Sequence, residues 1–145
     1  MANFYIDTEF VSYTHKPFLG RNRLFVDLIS IGIIDDCGRD YYAICNEFDL
    51  KEAWNQVEVK DGVNEYWIRN NILYPVFKHL KTKAHLAKDI CKPFCYLEMK
   101  RLLKQYGSSV NEIASGIIDF VYSGQSLIKN MYYGTRNTYT PIQFY

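Results

Sequence analysis

Leu24-Phe25-Val26-Asp27-Leu28-Ile29-Ser30-Ile31-Gly32-Ile33-Ile34 is the run on which the fold turns. It is dense in β-branched residues and too apolar on both faces for a sheet edge, so it reads as a central strand. Asp35-Asp36-Cys37-Gly38-Arg39-Asp40 follows with strong turn chemistry, and Tyr41 to Phe48 then reads as a strand paired antiparallel across that turn. Upstream, Phe4-Tyr5-Ile6-Asp7-Thr8-Glu9-Phe10 reads as a further strand, which makes the beginning of the chain a three-stranded meander. Val11 to Arg23, with Pro17 and Gly20, reads as the loop between the first two strands. That loop would bring His15, Lys16, Arg21 and Arg23 near the first strand, either to attract phosphates or as ordinary solvated charge.

Two carboxylates stand in the first strand. Successive side chains of a strand point to opposite faces, so Tyr5, Asp7 and Glu9 share one face while Phe4, Ile6, Thr8 and Phe10 share the other. Asp7 and Glu9 then lie about 7 Å apart at Cα. Like charges at that spacing repel, and each pays to leave water in an otherwise apolar strand. A divalent cation offsets both penalties. Mg2+ and Mn2+ are hard ions that take oxygen ligands, and a pair of them clamps the attacking and leaving oxygens of a phosphodiester. The plain alternative is that the two acids decorate the solvent face of an edge strand.

A chain of 145 residues, 48% apolar and 23% charged, is the size and composition of one globular domain, taken here as residues 1–145. The formal net charge of +1 excludes a polycation, so nucleic-acid binding would run through a local patch and a metal. Thirteen tyrosines suit base stacking as well as ordinary packing. Met1-Ala2-Asn3 leads straight into a strand without a basic and then apolar leader, and no apolar run reaches membrane-span length. Cys37, Cys45, Cys91 and Cys95 lack the spacing of a disulfide framework, so reduced thiols and a cytoplasmic setting are expected.

Further along, Leu50 to Asn55 predicts a short helix, and Val63 to Phe77 a longer one. The longer one has Trp67, Ile68, Ile72, Leu73, Val76 and Phe77 on one stripe and a break or kink at Pro75. Lys78 to Lys88 is basic and reads as a solvated face, in helix or loop. Tyr96, Leu97, Met99, Leu102, Leu103 and Tyr106 recur at helical spacing until Gly107. Ser109-Val110-Asn111-Glu112 is a capping box that opens a helix through about Tyr122 over Ile113, Ile117, Phe120 and Val121. Ser123 to Tyr145 reads mostly as loop, with Ile142 to Tyr145 the start of a strand. There is no P-loop, G-x-S-x-G or G-x-G-x-x-G. His79, His85, Cys91 and Cys95 form H-x5-H-x5-C-x3-C, which offers a small zinc module as a rival reading.

In order along the chain, several segments resemble the N-terminal half of one nuclease family: Tyr5 to Phe10, Asp27 to Gly32, Gly38 to Ala43, Glu47-Phe48-Asp49, and Trp67 to Leu73. It is the mycobacterial-type 3'-5' exoribonuclease branch of the DEDD, DnaQ-like exonuclease superfamily. The resemblance implies an RNase H-like α/β fold: a mixed sheet with its first three strands antiparallel, later strands parallel to the first, and flanking helices. It implies that Asp7 and Glu9 hold two Mg2+ or Mn2+ ions, Asp7 bridging them, and that an activated water attacks the 3'-terminal phosphodiester of single-stranded RNA or DNA. Nucleoside monophosphates would be released. Thr8 and Phe10 would pack on the far face, with the backbone around Glu9 and Phe10 touching the terminal nucleotide.

The family's later motifs, an acid on a fourth strand and a late His and Asp, have no counterpart before Tyr145. Asp119 is the obvious substitute acid, but it lies on a helix. The sheet is therefore expected to stop short of its fourth and fifth strands, and the chain to be poor or inactive as a nuclease. An unpaired first strand would favour a homo-oligomer, with Ile142 to Tyr145 exchanged, or mark a piece of a longer protein. A non-catalytic RNA-binding or interaction protein of the same fold is the further alternative.

Overall fold

The computed structural model describes the backbone of residues 3–133 and the side chains through Ser123. Three strands, β1 (Phe4–His15), β2 (Arg23–Asp35) and β3 (Asp40–Ile44), form an antiparallel sheet in the order β1-β2-β3. The apolar run is the middle strand, as its composition requires. β1 does not end at Phe10. Val11 to His15 pair with Asp27 back to Arg23, and only residues 16–22 make the loop. The reason is that Val11, Tyr13 and Thr14 are good strand formers facing Asp27, Phe25 and Leu24, and pairing outweighs the segment's polarity.

The register shifts once. Glu9 faces Ser30 while Phe10 faces Leu28, so Ile29 is the extra residue of a β-bulge, and it is fully buried. β3 stops at Ile44 instead of Phe48, because the next residues pair elsewhere. Ser108 N–H donates to the Ile44 carbonyl at 2.8 Å, and Asn46 N–H donates to the Ser108 carbonyl at 2.9 Å.

The β2–β3 turn is held by Asp35. Its Oδ1 accepts from the backbone N–H of Cys37 and Arg39 at 2.9 and 3.0 Å, and its Oδ2 accepts from Arg39 Nε at 2.7 Å. The Arg39 guanidinium in turn lies 4.6 Å from the Phe120 ring centre. Gly38, with φ of 76°, takes the left-handed position.

After the sheet come α1 (Leu50–Asn55), capped by Asp49, and a small hairpin of β4 (Glu58–Lys60) and β5 (Val63–Glu65). This hairpin replaces the first part of the helix expected from Val63. Asp61 and Gly62 both take positive φ, 52° and 79°, the geometry that an Asp-Gly hairpin turn requires. One π turn (Arg69–Leu73) then leads into α2 (Tyr74–Leu86). Pro75 has no N–H to donate, and the wider turn before it absorbs the defect: Tyr74 N–H reaches back to the Arg69 carbonyl. The helix therefore carries on through the basic stretch as far as Leu86.

α3 (Tyr96–Tyr106) ends before Gly107, as its periodicity predicts. α4 (Val110–Tyr133) opens with the capping box: Glu112 N–H donates to Ser109 Oγ at 3.2 Å, and Ser109 N–H donates to Glu112 Oε2 at 2.7 Å. It runs well past Tyr122, since Gly124 inside a helix costs only about 1 kcal/mol relative to Ala. The Ile142 to Tyr145 segment lies outside the described residues.

Helices pack on part of each face of the sheet, so the described residues form a mixed α/β structure. α4 lies on the face of Phe4 and Tyr41: Phe120 packs at 6.1 and 6.0 Å from their rings, and the Tyr41 hydroxyl donates to the Ile113 carbonyl at 3.3 Å. α2 approaches the other face, where His79 meets the Tyr42 ring at 4.7 Å. Ile29, Ile44, Leu73, Leu80, Met99 and Leu102 are fully buried in the core.

Arg101 on α3 holds two acids. It donates to Glu98 at 2.7 and 3.0 Å and to Asp89 at 2.8 Å, and the Tyr106 hydroxyl donates to Asp89 at 2.9 Å. The Arg101 bonds depress the carboxyl of buried Glu98 below its ordinary range, and the same guanidinium, with Tyr106, depresses Asp89. A group whose pKa is lowered on folding contributes stability that is fully present above its unfolded value and is lost as pH falls through the folded value. The thermal midpoint is therefore expected to be flat from neutrality down to about pH 5 and to fall below about pH 4, where unfolded carboxylates take up protons. Arg101→Met should lower the midpoint at pH 7 and flatten the acid fall. Thermal melts of the two proteins from pH 7 to 3 check both outcomes.

Candidate functional site

The sheet register builds two rows across one face. Asp7, Gly32 and Tyr42 form one row, and Glu9, Ser30 and Ile44 form the next. Asp7 and Glu9 therefore sit on the same side of β1, with Asp7 exposed and Glu9 half-buried. Gly32 leaves the floor beside Asp7 open; a Cβ built there would lie 3.7 Å from the Tyr42 ring. Ser30, opposite Glu9, is buried. Among the described residues neither carboxylate makes a hydrogen bond or an ion pair; the ion pairs present belong to Arg39 and Arg101.

A cleft of about 370 Å3 opens over this end of the sheet, lined by Tyr5, Asp7, Gly32, Ile34, Asp40 and Tyr42 among others. Asp40 shares the face, in the row of Tyr5 and Ile34, but stands two strands from β1, roughly 10 Å away. That is too far to share one ion with Asp7, since Mg2+ and Ca2+ ligands lie about 2.0 to 2.6 Å from the ion.

Among the described residues no group of three His, Cys, Asp or Glu side chains converges as a metal-binding set. Asp7 and Glu9 are thus a pair of hard oxygen donors that no third His, Cys, Asp or Glu joins among the described residues. In donor type they fit Mg2+ or Mn2+, and in number they fit a weakly held ion whose other positions go to water or a phosphate.

The other expected participants are placed as follows. Thr8 is half-buried on the opposite face, across from Ile31. Phe10 shares that face, but next to the bulge it is 47% exposed and so is not core packing. His15, Lys16, Arg21 and Arg23 do not lie near Asp7. They occupy the far end of the β1–β2 hairpin, and eight residues of strand separate Asp7 from His15, roughly 26 Å. Asp119 is exposed on α4, which covers the other face, so the sheet stands between it and Asp7 and it cannot complete the set.

The zinc reading fails on geometry. His79 and His85 are six residues apart on α2 and point about 120° apart around the helix. His79 meets Tyr42, and the Cys91 thiol faces the Asp89 carbonyl at 4.0 Å. His79, which the sequence offers only as a zinc ligand, stands above the row that begins at Asp7. Burial and the charge of Lys83 lower its pKa, which favours neutral imidazole. Tyr42 and Asp40 join the site only through strand register, a long-range property with no local signal.

No protein-family model matches the chain. Over 70 residues, 48% of its length, the chain is 31% identical to a protein named 3'-5' exoribonuclease from Mycobacterium tuberculosis strain CDC 1551 / Oshkosh. It has the same likeness to the protein of that name from strain H37Rv. The matched stretch spans 30% of the length of each relative. What carries over from these comparisons is a likeness, across half of this chain, to bacterial proteins named as exoribonucleases.

Proposed function

We propose that this chain is built on the plan of a metal-dependent 3'-5' exoribonuclease of the DEDD superfamily, with the three-stranded meander as the opening part of an RNase H-like sheet. The observation that carries the reading is the pairing of Asp7 and Glu9 on one open face beside Gly32, free of any cationic partner among the described residues. The likeness to proteins named 3'-5' exoribonuclease supports it. Asp7 and Glu9 would hold Mg2+ or Mn2+ through their carboxylate oxygens. When bound, the ions supply Lewis acidity and a lowered water pKa at the 3'-terminal phosphodiester.

The chain's own part is to aim the carboxylates and to seat the terminal nucleotide. Asp7 and Glu9 present their oxygens to one side, Gly32 clears space for the phosphate, and the backbone around Glu9 and Phe10 lies along the nucleotide. With two protein ligands the ions are weakly held and turnover is poor. Single-stranded RNA 3' ends are the substrate class favoured by the relatives' name, with DNA the alternative. The four cysteines are free thiols, which fits a reducing cytoplasmic setting, and no helix among the described residues is long and apolar enough to cross a membrane.

The test is directional. A 5'-labelled single-stranded RNA incubated with the chain and Mn2+ is expected to shorten slowly from its 3' end, releasing nucleoside monophosphates. A 3'-phosphate should block shortening, and Asp7→Asn should abolish it. Internal cuts, or trimming that survives Asp7→Asn, would refute the assignment. RNA retention by the chain without any metal-dependent trimming would favour the non-catalytic binding reading.

The unpaired edge of β1 adds a proposal about assembly. β1 is twelve residues long, has no partner on its outer side among the described residues, and leaves Tyr5 and Ile6 more than 60% exposed. An apolar free edge of that length invites pairing with a second copy. The expected result is a mass that rises with concentration in light scattering and falls to that of a monomer in Ile6→Lys; a monomer at millimolar concentration sinks the idea.

A further inference from the structure

Just past the end of β3 a second cleft, of about 410 Å3, lies between α1 and α3. Lys51 of α1 and Lys100 and Lys104 of α3 line it together with Asn46, Asp49 and Tyr96. Lys100 and Lys104 are one helical turn apart, so their ammonium groups share a face and repel. Among the described residues none of the three lysines has an ion-pair partner. Asp49, the acid of the cleft, is already engaged: its Oδ1 accepts from Glu52 N–H at 3.0 Å as the cap of α1. Three lysines against one carboxylate leave the lining with an excess of positive charge. Tyr96, half-buried against Trp54 at 5.7 Å between ring centres, gives one aromatic wall.

Three lysines without ion-pair partners, lining one cleft with an aromatic ring, suit a ligand with a phosphate at one end and a flat ring at the other. The cleft's volume lies within the usual range of small-ligand pockets. We propose that it binds the phosphate of a nucleotide, Lys51, Lys100 and Lys104 on the anionic oxygens and Tyr96 beside the base. The phosphate belongs either to a free mononucleotide or to the backbone of a single strand. The site is separate from Asp7 and Glu9 and does not depend on their holding a metal.

The test is made in EDTA, which removes any metal contribution. Adenosine monophosphate is titrated by calorimetry, and a 5'-fluorescein single-stranded 12-mer RNA by anisotropy. At least one probe is expected to bind, and Lys100→Gln/Lys104→Gln to weaken it at least tenfold. For the RNA, losing two phosphate contacts should reduce the slope of log K against log salt by about 1.4. Both lysines are exposed, so circular dichroism should not change and the melting midpoint should hold or rise slightly as their repulsion is removed. Comparable affinity for the monophosphate and the 12-mer assigns the site to a free nucleotide; much tighter binding of the 12-mer assigns it to a strand. Failure of both probes to bind, a double variant that binds like the parent, or equal binding of poly-glutamate overturns the proposal. Mn2+ titration of the same double variant reports on Asp7 and Glu9 separately.

Discussion

Asp7→Asn is expected to weaken Mn2+ binding at least ~100-fold while leaving the melting midpoint of the metal-free chain unchanged or slightly higher. The first half follows from ligand count. Among the described residues the ion has two carboxylates to bind, and changing an outer partner of a metal ligand already costs about 10- to 100-fold in affinity. Removing a ligand's charge outright belongs at or beyond the top of that range. The second half follows from what Asp7 lacks. It makes no hydrogen bond or ion pair among the described residues and is exposed beside another acid, so amidation removes a repulsion and breaks no described contact. A residue kept for structure would behave the other way, with a lower midpoint and unaltered metal affinity. Glu9→Gln should reproduce the metal loss. His79→Gln should not, since its ring sits over Tyr42, two strands from Asp7. Manganese titration followed by electron paramagnetic resonance, with thermal melts in EDTA, reads both quantities.

The parts of this fold that can be read locally are those whose cause is local. The apolar run of β2 marks a middle strand whose Ile29, Ser30, Ile31 and Ile33 are buried while Leu24 to Val26 and Ile34 stay exposed. The turn at Asp35, the Asp49 cap and the Ser109–Glu112 box act within five residues. The outer half of β1 is harder to read, because Ser12 to His15 form a two-stranded arm with little buried face, so no alternation of apolar and polar residues marks it as strand. The β4–β5 hairpin does carry a local mark, Asp61-Gly62, but the helical stripe from Trp67 extends back through Val63 and competes with it. At the site, alternation along one strand suffices to place Asp7 and Glu9 together. Gly32, Tyr42 and Asp40, and the lysines of the second cleft, meet only after register and helix docking are set, and neither leaves a trace in a single segment.

Gly116 shows how tightly that docking is set, and it supports a prediction whose sign depends on one neighbour. In an isolated helix Gly→Ala stabilises by about 1 kcal/mol. Here a Cβ at residue 116 would stand 2.5 Å from the Tyr41 hydroxyl oxygen and 2.9 Å from two carbons of its ring. Tyr41 has little freedom to withdraw: it is paired in β3 opposite Ile33, its ring packs on Phe120, and its hydroxyl donates to the Ile113 carbonyl. Overpacking against a held ring costs roughly 1 to 3 kcal/mol. Gly116→Ala is therefore expected to be destabilising in the parent, lowering the midpoint by about 2 to 4 °C per kcal/mol for a chain of this size. In a Tyr41→Ala background the obstruction is gone and only helix propensity remains, so the same substitution should stabilise by up to about 1 kcal/mol. Urea or thermal unfolding of the four proteins measures the reversal. Equal effects in both backgrounds would mean that α4 does not cross the sheet at Tyr41, and that the face opposite Asp7 is covered in some other way.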